Sequence, residues 1–379
     1  MIDFKKAFNR QNHLILITLL GDMGVPGWLL NIVVGFLQDR ELILSYKGAK
    51  SGSKDMPGGG PQGTVLGMFL FIILINSAGF KEVDMKLGEN ITRAANAHKL
   101  ISKMHAKYVD DLTVAEALKL KDVLYVERES KLKRPLNYHE RTEHKLIEGC
   151  SEVEKQLDEL EEYATTNEMK INQKKTKLML FNPCKKYDFQ PKMDLAGVRI
   201  EVVKEMKLLG VIITDDLKWH ANTANITKKA YTRLWVLRRL KNMGTTRSIL
   251  LDVYNKQVRS ILEYAAVVWD AGLTQDDIQK IERIQKSVCA IILGENYNSY
   301  EEALNILQTK PLSVRRRELA KKFAAKASKH PIHKNWFIEN PPEQYTRLKK
   351  PTFKPVCGRT GRFLNSAIPY LTSLLNETS

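Results

Sequence analysis

The sequence predicts an α+β fold, in which helices alternate with short strands before a mostly helical, basic C-terminal part. Up to about residue 215, segments with helical spacing of apolar residues alternate with segments typical of strands. Beyond residue 221 helical spacing dominates, and Ile226, Ala230, Leu234 and Leu237 follow one helix face. Lys plus Arg number 60 and Asp plus Glu 43, so the formal net charge of +17 favours a polyanionic partner such as nucleic acid.

The first third of the chain predicts three helices and a strand. Asn12 to Leu37 has helical spacing with a break at Pro26, which suits the first turn of a second helix. Glu41 to Tyr46 predicts a strand, and Gln62 to Asn76 predicts a buried helix. The apolar run of that helix, Val65 to Ile75, is much shorter than the roughly 20 residues that span a bilayer, so no membrane segment is predicted.

Further elements follow from the same periodicities. The predicted elements are a strand pair over Lys107 to Val114, an acidic helix over Cys150 to Thr166, strands at Lys177 to Phe181 and Val198 to Val203, and helices over Thr246 to Trp269 and Gln275 to Leu293. Trp235, Trp269 and Trp336 stand at helical positions beside aliphatic residues, which favours a place in the core over base stacking.

Cysteine spacing and the N-terminus bear on the compartment. Cys150, Cys184, Cys289 and Cys357 lie far apart without a CxxC pair, so neither a zinc site nor a disulfide framework is predicted. The chain begins with charge where a signal peptide has its apolar stretch, so we expect an intracellular protein.

Two adjacent acids stand out within Tyr108-Val-Asp-Asp111. β-prone segments flank them, which predicts a tight hairpin turn that holds Asp110 and Asp111 rigid yet exposed. Adjacent carboxylates repel each other unless a cation joins them, and magnesium prefers such hard oxygen ligands. Two ions can clamp the attacking and leaving oxygens of a phosphoryl transfer. A pair of this kind alone is typical of a surface turn, and a metal site needs another acid from a separate strand.

Two other segments supply a candidate acid from a second strand and a loop that can approach a ligand. Asp3 precedes a helical start in Asp3-Phe-Lys-Lys-Ala-Phe8 and is the candidate acid of a second strand. Gly60-Pro-Gln-Gly63 precedes the apolar helix, and its glycines allow the backbone to approach a ligand closely.

In this order and combination, the segments resemble the motifs of reverse transcriptases from non-long-terminal-repeat retrotransposons. The resemblance covers nearly the whole chain, and its motifs are specific. The five similar motifs are Asp3 to Phe8, Gly60 to Gly63, Tyr108 to Asp111, Lys170 to Lys177 with Leu178 to Phe181, and Leu208 to Gly210, the primer grip.

The resemblance implies a role for each site residue. Asp3 and Asp110 would bind two magnesium ions, with manganese as the alternative, helped by the Phe4 carbonyl and by Asp111 as the neighbouring acid. Phe8 would stack under the incoming sugar and exclude a 2′-hydroxyl, with a plain core position as the alternative. The nucleotide and template contacts would be Gln62, Gly63 and Tyr108. Lys175, or else Lys174, would protonate pyrophosphate, although a lysine cluster is usually a solvated face.

The resemblance also implies an organisation and partners. Residues 1–220 would be a right-hand polymerase palm, an antiparallel sheet backed by helices that is clipped at its N-terminus and lacks the fingers. Residues 221–330 would be a helical thumb, and residues 331–379 a basic extension. The thumb would contact an RNA template and DNA primer through phosphates, and its candidate contacts are Lys229, Arg233, Arg238 and Arg239.

The implied activity is RNA-directed DNA synthesis from deoxynucleotides, in a nuclear or cytoplasmic ribonucleoprotein. The alternative is a truncated product without catalysis that still binds nucleic acid. A maturase or telomerase-like relative is a weaker alternative, because the thumb residues resemble the retrotransposon type.

Overall fold

The computed structural model describes residues 1–5, 7–56, 58–61, 64–76, 103–108, 111–116, 151–181, 193–340, 351–358 and 361–377. At some residues within helices and strands, including Asp3, Tyr108 and Asp111, the description covers the backbone only. The chain divides into two compact units. The first contains the described residues up to Val203 except Phe181, and the second contains Phe181 and those from Lys204 onward.

The first unit mixes helices with short strands. Its helices are α1 His13–Asp22, α2 Gly27–Leu37, α3 Val65–Asn76 and α4 Ser151–Thr166, with a 3-10 helix at Ala7–Arg10. Its strands are β1 Ile2–Asp3, β2 Glu41–Leu42, β3 Ser45–Tyr46, β4 Ala49–Lys50, β5 Lys54–Asp55, β6 Lys103–Tyr108, β7 Asp111–Glu116, β8 Lys177–Leu178, β9 Asp194–Leu195, β10 Val198–Arg199 and β11 Glu201–Val202. The pairs in this unit are antiparallel except β8 with β11.

Local capping defines the first two helices. The side chain of Asn12 accepts hydrogen bonds from the backbone N–H groups of Leu14 and Ile15, at 2.9 and 3.2 Å, and so caps α1. Pro26 stands just before α2 with an extended ψ of 143°, outside the first turn where the sequence places it. A proline fits both positions because neither uses its missing N–H.

Helix α3 is buried on one face only, which corrects the prediction of a buried helix. Leu70, Phe71 and Leu74 are almost fully buried, whereas Val65 is 90% exposed and Phe69 57% exposed. The helix is apolar all round, so its sequence contains no polar face that could have indicated the exposed side. The buried face joins α1, α2, α4 and the N-terminal strand in the core of the first unit.

The second unit is mainly helical. It begins with the antiparallel hairpin of β12 Glu205–Leu208 and β13 Val211–Thr214. Its helices are α5 His220–Asn242, α6 Arg247–Tyr254, α7 Ser260–Glu263, α8 Ala266–Trp269, α9 Gln275–Leu293, α10 Tyr300–Ile306, α11 Leu312–Ala327, α12 Gly361–Leu364 and α13 Ala367–Asn376, with a π-helical turn at Asn255–Arg259. The predicted face of α5 is confirmed, because Ile226, Ala230, Leu234 and Leu237 are all buried.

The predicted helix over Thr246 to Trp269 is interrupted twice. A π-helical turn follows α6, and Ala265 adopts a left-handed conformation with φ 51° between α7 and α8. Trp269 is fully buried, as the sequence predicts, and its indole N–H donates to the carbonyl oxygen of Tyr264 at 3.0 Å. This local hydrogen bond spans the break at Ala265.

Together the two units confirm the predicted α+β class. In the part of the chain that the structure describes, every helix is too short or too polar to cross a bilayer.

Candidate functional site

The strands of the first and third motifs are neighbours in one antiparallel sheet. The sheet has the order β1, β7, β6, and its register places Asp3 opposite Asp111 and Tyr108 opposite Asp111 on the other side. Paired residues of antiparallel strands have Cα atoms about 4.5 to 5.5 Å apart. Two segments far apart in sequence therefore bring acidic residues side by side, and the predicted hairpin is confirmed.

Several predicted site residues fall outside this description. Asp110, Gln62 and Gly63 lie outside the described residues, and only the backbones of Asp3, Tyr108 and Asp111 are described. The side chains that are described include no group of three His, Cys, Asp or Glu residues able to hold a metal ion. The arrangement of the three acids therefore stays a prediction that rests on strand register.

The other side of the N-terminal segment pairs with the fourth motif. Phe4 forms an antiparallel bridge with Ile171, and the backbone N–H of Lys5 donates to the Lys170 carbonyl at 2.7 Å. The α-amino group of Met1 donates to the Lys177 carbonyl at 2.9 Å. Burial desolvates this amine and lowers its pKa from 8.0 to about 6. The first motif thus lies between the third and the fourth.

Lys175 lies on an exposed turn of that fourth motif. Its backbone N–H donates to the Asn172 carbonyl at 3.0 Å, and the Thr176 hydroxyl donates to the same oxygen at 3.0 Å. Thr176 is buried, whereas Lys174 and Lys175 are exposed. The turn lies between Ile171, which bridges to Phe4, and Lys177, whose carbonyl accepts from Met1.

Phe4 and Phe8 have different surroundings. Phe4 is buried in the core of the first unit, which leaves its carbonyl as the polar group that the resemblance assigns to it. Phe8 is half-buried and stacks on Phe71, with ring centroids 4.2 Å apart and an angle of 27° between the planes. Its position combines packing with partial exposure, so both predicted roles of Phe8 stay open.

The glycine loop of the second motif packs directly on the end of the first. The backbone N–H of Gly60 donates to the Phe8 carbonyl at 2.7 Å, and that of Gly59 donates to the Gln11 carbonyl at 2.9 Å. A Cβ atom at Gly60 would lie only 2.5 Å from Oε1 of Gln11. A larger residue at position 60 would therefore require the Gln11 side chain to move.

Arg40 holds the same loop, a role that the sequence analysis missed. Its guanidinium donates to the carbonyl oxygens of Gly59 and Gly58, at 2.5 and 3.3 Å, while Nε donates to the Leu37 carbonyl at 3.0 Å. The amide of Gln11 is buried, and its two polar atoms have no hydrogen-bond partner within the described part of the chain. Neither residue belongs to one of the five motifs. Their contacts with the loop join residues that are distant in sequence, so the sequence does not indicate them.

A cavity of about 680 Å³ lies beside this loop in the first unit. Asn9, Gln11, His13, Leu37, Asp39 and Glu168 are among its lining residues. The ring of His13 lies within 2.9 Å of the Gly59 carbonyl, so the cavity wall and the glycine loop share contacts. Polar groups of both charge signs line it.

The fifth motif forms the tip of the β12–β13 hairpin in the second unit. Leu208 pairs with Val211, and the two residues between them have positive φ values, 45° at Leu209 and 90° at Gly210. Positive φ at both central positions is typical of the tight type I′ hairpin turn. The hydroxyl of Tyr264 donates to the Leu209 carbonyl at 2.7 Å, which no sequence pattern indicates.

The long helix α5 exposes the predicted basic residues. Lys229, Arg233, Arg238 and Arg239 are all exposed on it. Trp235 is 61% exposed, so the prediction that it belongs to the core is wrong. Its ring instead lies beside Arg239, whose guanidinium carbon is 5.6 Å from the ring centroid. This distance is typical of a cation–π contact between the guanidinium and the indole.

Comparison with known proteins identifies the family of the chain. Residues 1–213 match the family described as reverse transcriptase (RNA-dependent DNA polymerase). The chain is also similar to the RNA-directed DNA polymerases from mobile element jockey of Drosophila funebris and Drosophila melanogaster. Each is 22% identical over 335 residues, which cover 87% of this chain and 32% of the relative. The chain thus spans about a third of the length of these curated relatives. The chain belongs to the reverse transcriptase (RNA-dependent DNA polymerase) family, and its predicted resemblance to the retrotransposon type is confirmed.

Proposed function

We propose that this chain carries the catalytic centre of an RNA-directed DNA polymerase and that Asp3, Asp110 and Asp111 are its metal ligands. The observation that supports this most strongly is the register that pairs Asp3 with Asp111. Asp110 adjoins Asp111 in the sequence, which supports the proposal that the acids of both motifs act together. An RNA template, a DNA primer and deoxynucleotides are the proposed partners.

The proposed metal is magnesium, with manganese as the alternative. Carboxylates from two neighbouring strands fit this ion, because it prefers hard oxygen ligands and binds through a few carboxylates plus substrate phosphates. Asp3 and Asp110 would hold two ions, with Asp111 and the Phe4 carbonyl beside them. Bound there, the ions would neutralise phosphate charge and increase the acidity of the primer 3′-hydroxyl.

The proposed reaction is a nucleotidyl transfer. The primer 3′-oxygen forms a bond to the α-phosphorus of the deoxynucleotide, and the bond from that phosphorus to pyrophosphate breaks. The 3′-hydroxyl would lose its proton to solvent water, and the departing pyrophosphate would gain one from Lys175, which then regains a proton from solvent. The exposure of Lys175, and the pairing of Ile171 and Lys177 with the N-terminal segment on either side of its turn, support this role.

Four other residues of the first unit would bind the nucleotide and the template. Phe8 would face the sugar, and its fixed stack on Phe71 would make the ring a rigid wall against a ribose 2′-hydroxyl. Gln62 and Gly63 follow the tightly packed Gly60 and would border the nucleotide and template, with Tyr108 at the end of β6. A rigid loop favours catalysis because it fixes the geometry before substrate binds.

The second unit would bind the template and primer duplex. Lys229, Arg233, Arg238 and Arg239 are all exposed on α5 and are together called the α5 basic residues. Contacts of this kind recognise phosphates without reading sequence. We propose that residues 1–220 form a palm, residues 221–330 a thumb and residues 331–379 a basic extension. The protein would act in an intracellular ribonucleoprotein.

Deoxynucleotide incorporation on a primed RNA template with magnesium tests the proposal. The wild-type chain is compared with an Asp110→Asn, Asp111→Asn double variant and with Asp158→Asn, which removes an exposed carboxylate on α4. We expect the double variant to lose at least about a hundredfold in rate and Asp158→Asn to behave as wild type. Equal incorporation by wild type and the double variant would reject the catalytic proposal. Template binding without incorporation would then favour a nucleic-acid-binding remnant.

A further inference from the structure

The tip of the β12–β13 hairpin needs support from outside the hairpin. Leu209 and Gly210 both have positive φ, at 45° and 90°. Glycine adopts this conformation readily, but a leucine is strained there because its Cβ crowds the backbone. Such a conformation persists only where surrounding contacts hold it.

Tyr264 makes contact with both tip residues. Its hydroxyl donates to the Leu209 carbonyl at 2.7 Å. Its ring lies against Gly210, where an added Cβ would come within 3.1 Å of ring carbon Cε1. The hydroxyl therefore fixes the strained residue, and the ring covers the glycine that follows it.

Tyr264 is itself fixed to the core of the second unit. The indole N–H of the fully buried Trp269 donates to the Tyr264 carbonyl at 3.0 Å. The Arg316 guanidinium lies 5.8 Å from the centroid of the Trp269 ring and forms an ion pair with Asp270 at 2.6 Å. The left-handed Ala265 ends α7 directly after Tyr264 and turns the chain into α8. A continuous set of contacts thus runs from the core to the hairpin tip.

We propose that Tyr264 is a positioning residue for the primer. By fixing the Leu209–Gly210 tip, its hydroxyl fixes the hairpin that resembles the primer grip, and so the 3′ end of the primer. This inference rests on the proposed polymerase function. Accurate placement of a reacting group contributes much of the rate of a two-substrate reaction, so a loosened tip slows the chemical step while overall duplex binding stays unchanged.

Tyr264→Phe tests the role because it removes only the hydroxyl. Tyr300→Phe is the matched control, since the Tyr300 hydroxyl donates at the same distance of 2.7 Å to Glu282, a residue outside the hairpin. Both variants of the full chain are bound to a primed RNA template that carries 2-aminopurine at the primer 3′ terminus or at an internal position. Fluorescence reports the position of the base, and a single-turnover assay measures addition of the first nucleotide.

We expect Tyr264→Phe to change fluorescence at the 3′ terminus alone and to lower the single-turnover rate roughly tenfold, with an unchanged dissociation constant for the duplex. Tyr300→Phe is expected to change neither. A wild-type terminal signal and rate in Tyr264→Phe would overturn the proposal. If wild type incorporates nothing, the polymerase proposal fails by itself, and the terminal fluorescence still decides whether Tyr264 positions the primer end.

Discussion

The backbone of Asp3 lies opposite that of Asp111 in neighbouring antiparallel strands. This pairing joins the first and third motifs, and the hydrogen bond from Gly60 to Phe8 joins the second motif to the first. The bridge between Phe4 and Ile171 adds the fourth. Three segments distant in sequence thus contact the N-terminal segment that carries the first motif.

Phe8→Val tests the role of Phe8 at the sugar. A smaller side chain is expected to admit a 2′-hydroxyl, so the ratio of kcat/KM for deoxynucleotides to that for ribonucleotides should fall about tenfold or more. Steady-state incorporation of both nucleotide types measures the ratio. Phe69→Val, on the exposed part of α3, is the control and should leave it unchanged. An unchanged ratio in Phe8→Val would assign Phe8 to packing against Phe71 alone.

Gly60→Ala tests the contact between the glycine loop and Gln11. The new methyl group would collide with the buried Gln11 amide, and we expect a loss of about 1 to 3 kcal/mol in the free energy of unfolding. The added substitution Gln11→Ala should restore part of this loss. Gly52→Ala is the control, because a Cβ there meets no atom within 4 Å. Urea unfolding gives these free energies, and additive effects of the two substitutions would contradict the contact.

Replacing the four α5 basic residues with Gln tests the duplex contact. Loss of four phosphate contacts should weaken template–primer binding and reduce the slope of log K against log salt by up to about 3 to 4. The control replaces Lys218, Lys256, Lys280 and Lys310, which changes net charge equally. Each of these exposed lysines already pairs with an acid. Equal salt slopes in the two quadruple variants would reject a specific role for the α5 basic residues.

Cys289 is expected to resist alkylation in the folded chain, whereas Cys357 reacts. Burial raises the pKa of the Cys289 thiol from 9.0 to about 11. At pH 8 its thiolate fraction would be only about one in a thousand, and the thiolate is the reactive form. Cys357 is exposed. Iodoacetamide labelling read by peptide mass spectrometry should modify Cys289 slowly at pH 8 and faster as the pH rises or after unfolding, and rapid labelling at pH 8 would contradict its burial.

Features that depend on neighbouring residues could be predicted from the sequence. Helix α9 begins and ends where the sequence predicts, because the Thr274 hydroxyl caps its first turn and Gly294 ends it with a positive φ. The antiparallel pairing of Tyr108 with Asp111 was predicted for a similar reason, since β-prone segments lie on both sides of the two aspartates in the sequence.

Features that depend on long-range packing could not be predicted. Trp235 and Trp269 both stand beside aliphatic residues, yet only Trp269 is buried, because the partner surfaces decide which helix face is covered. Arg40 and Tyr264 act through backbone carbonyls at Gly59 and Leu209, and no residue pattern indicates such partners. Of the candidate site, the sequence predicted the motif residues and missed the residues that hold the motifs in place.

Manganese binding measured by electron paramagnetic resonance tests the central claim most directly, because it reports the metal ligands without requiring turnover. The chain is titrated with manganese in complex with an RNA template and a primer that lacks a 3′-hydroxyl. We predict that Asp3→Asn and Asp110→Asn each weaken manganese binding at least about tenfold, whereas Asp158→Asn binds as wild type. Wild-type manganese binding by Asp3→Asn would contradict the claim that the paired strands of Asp3 and Asp111 form the metal site.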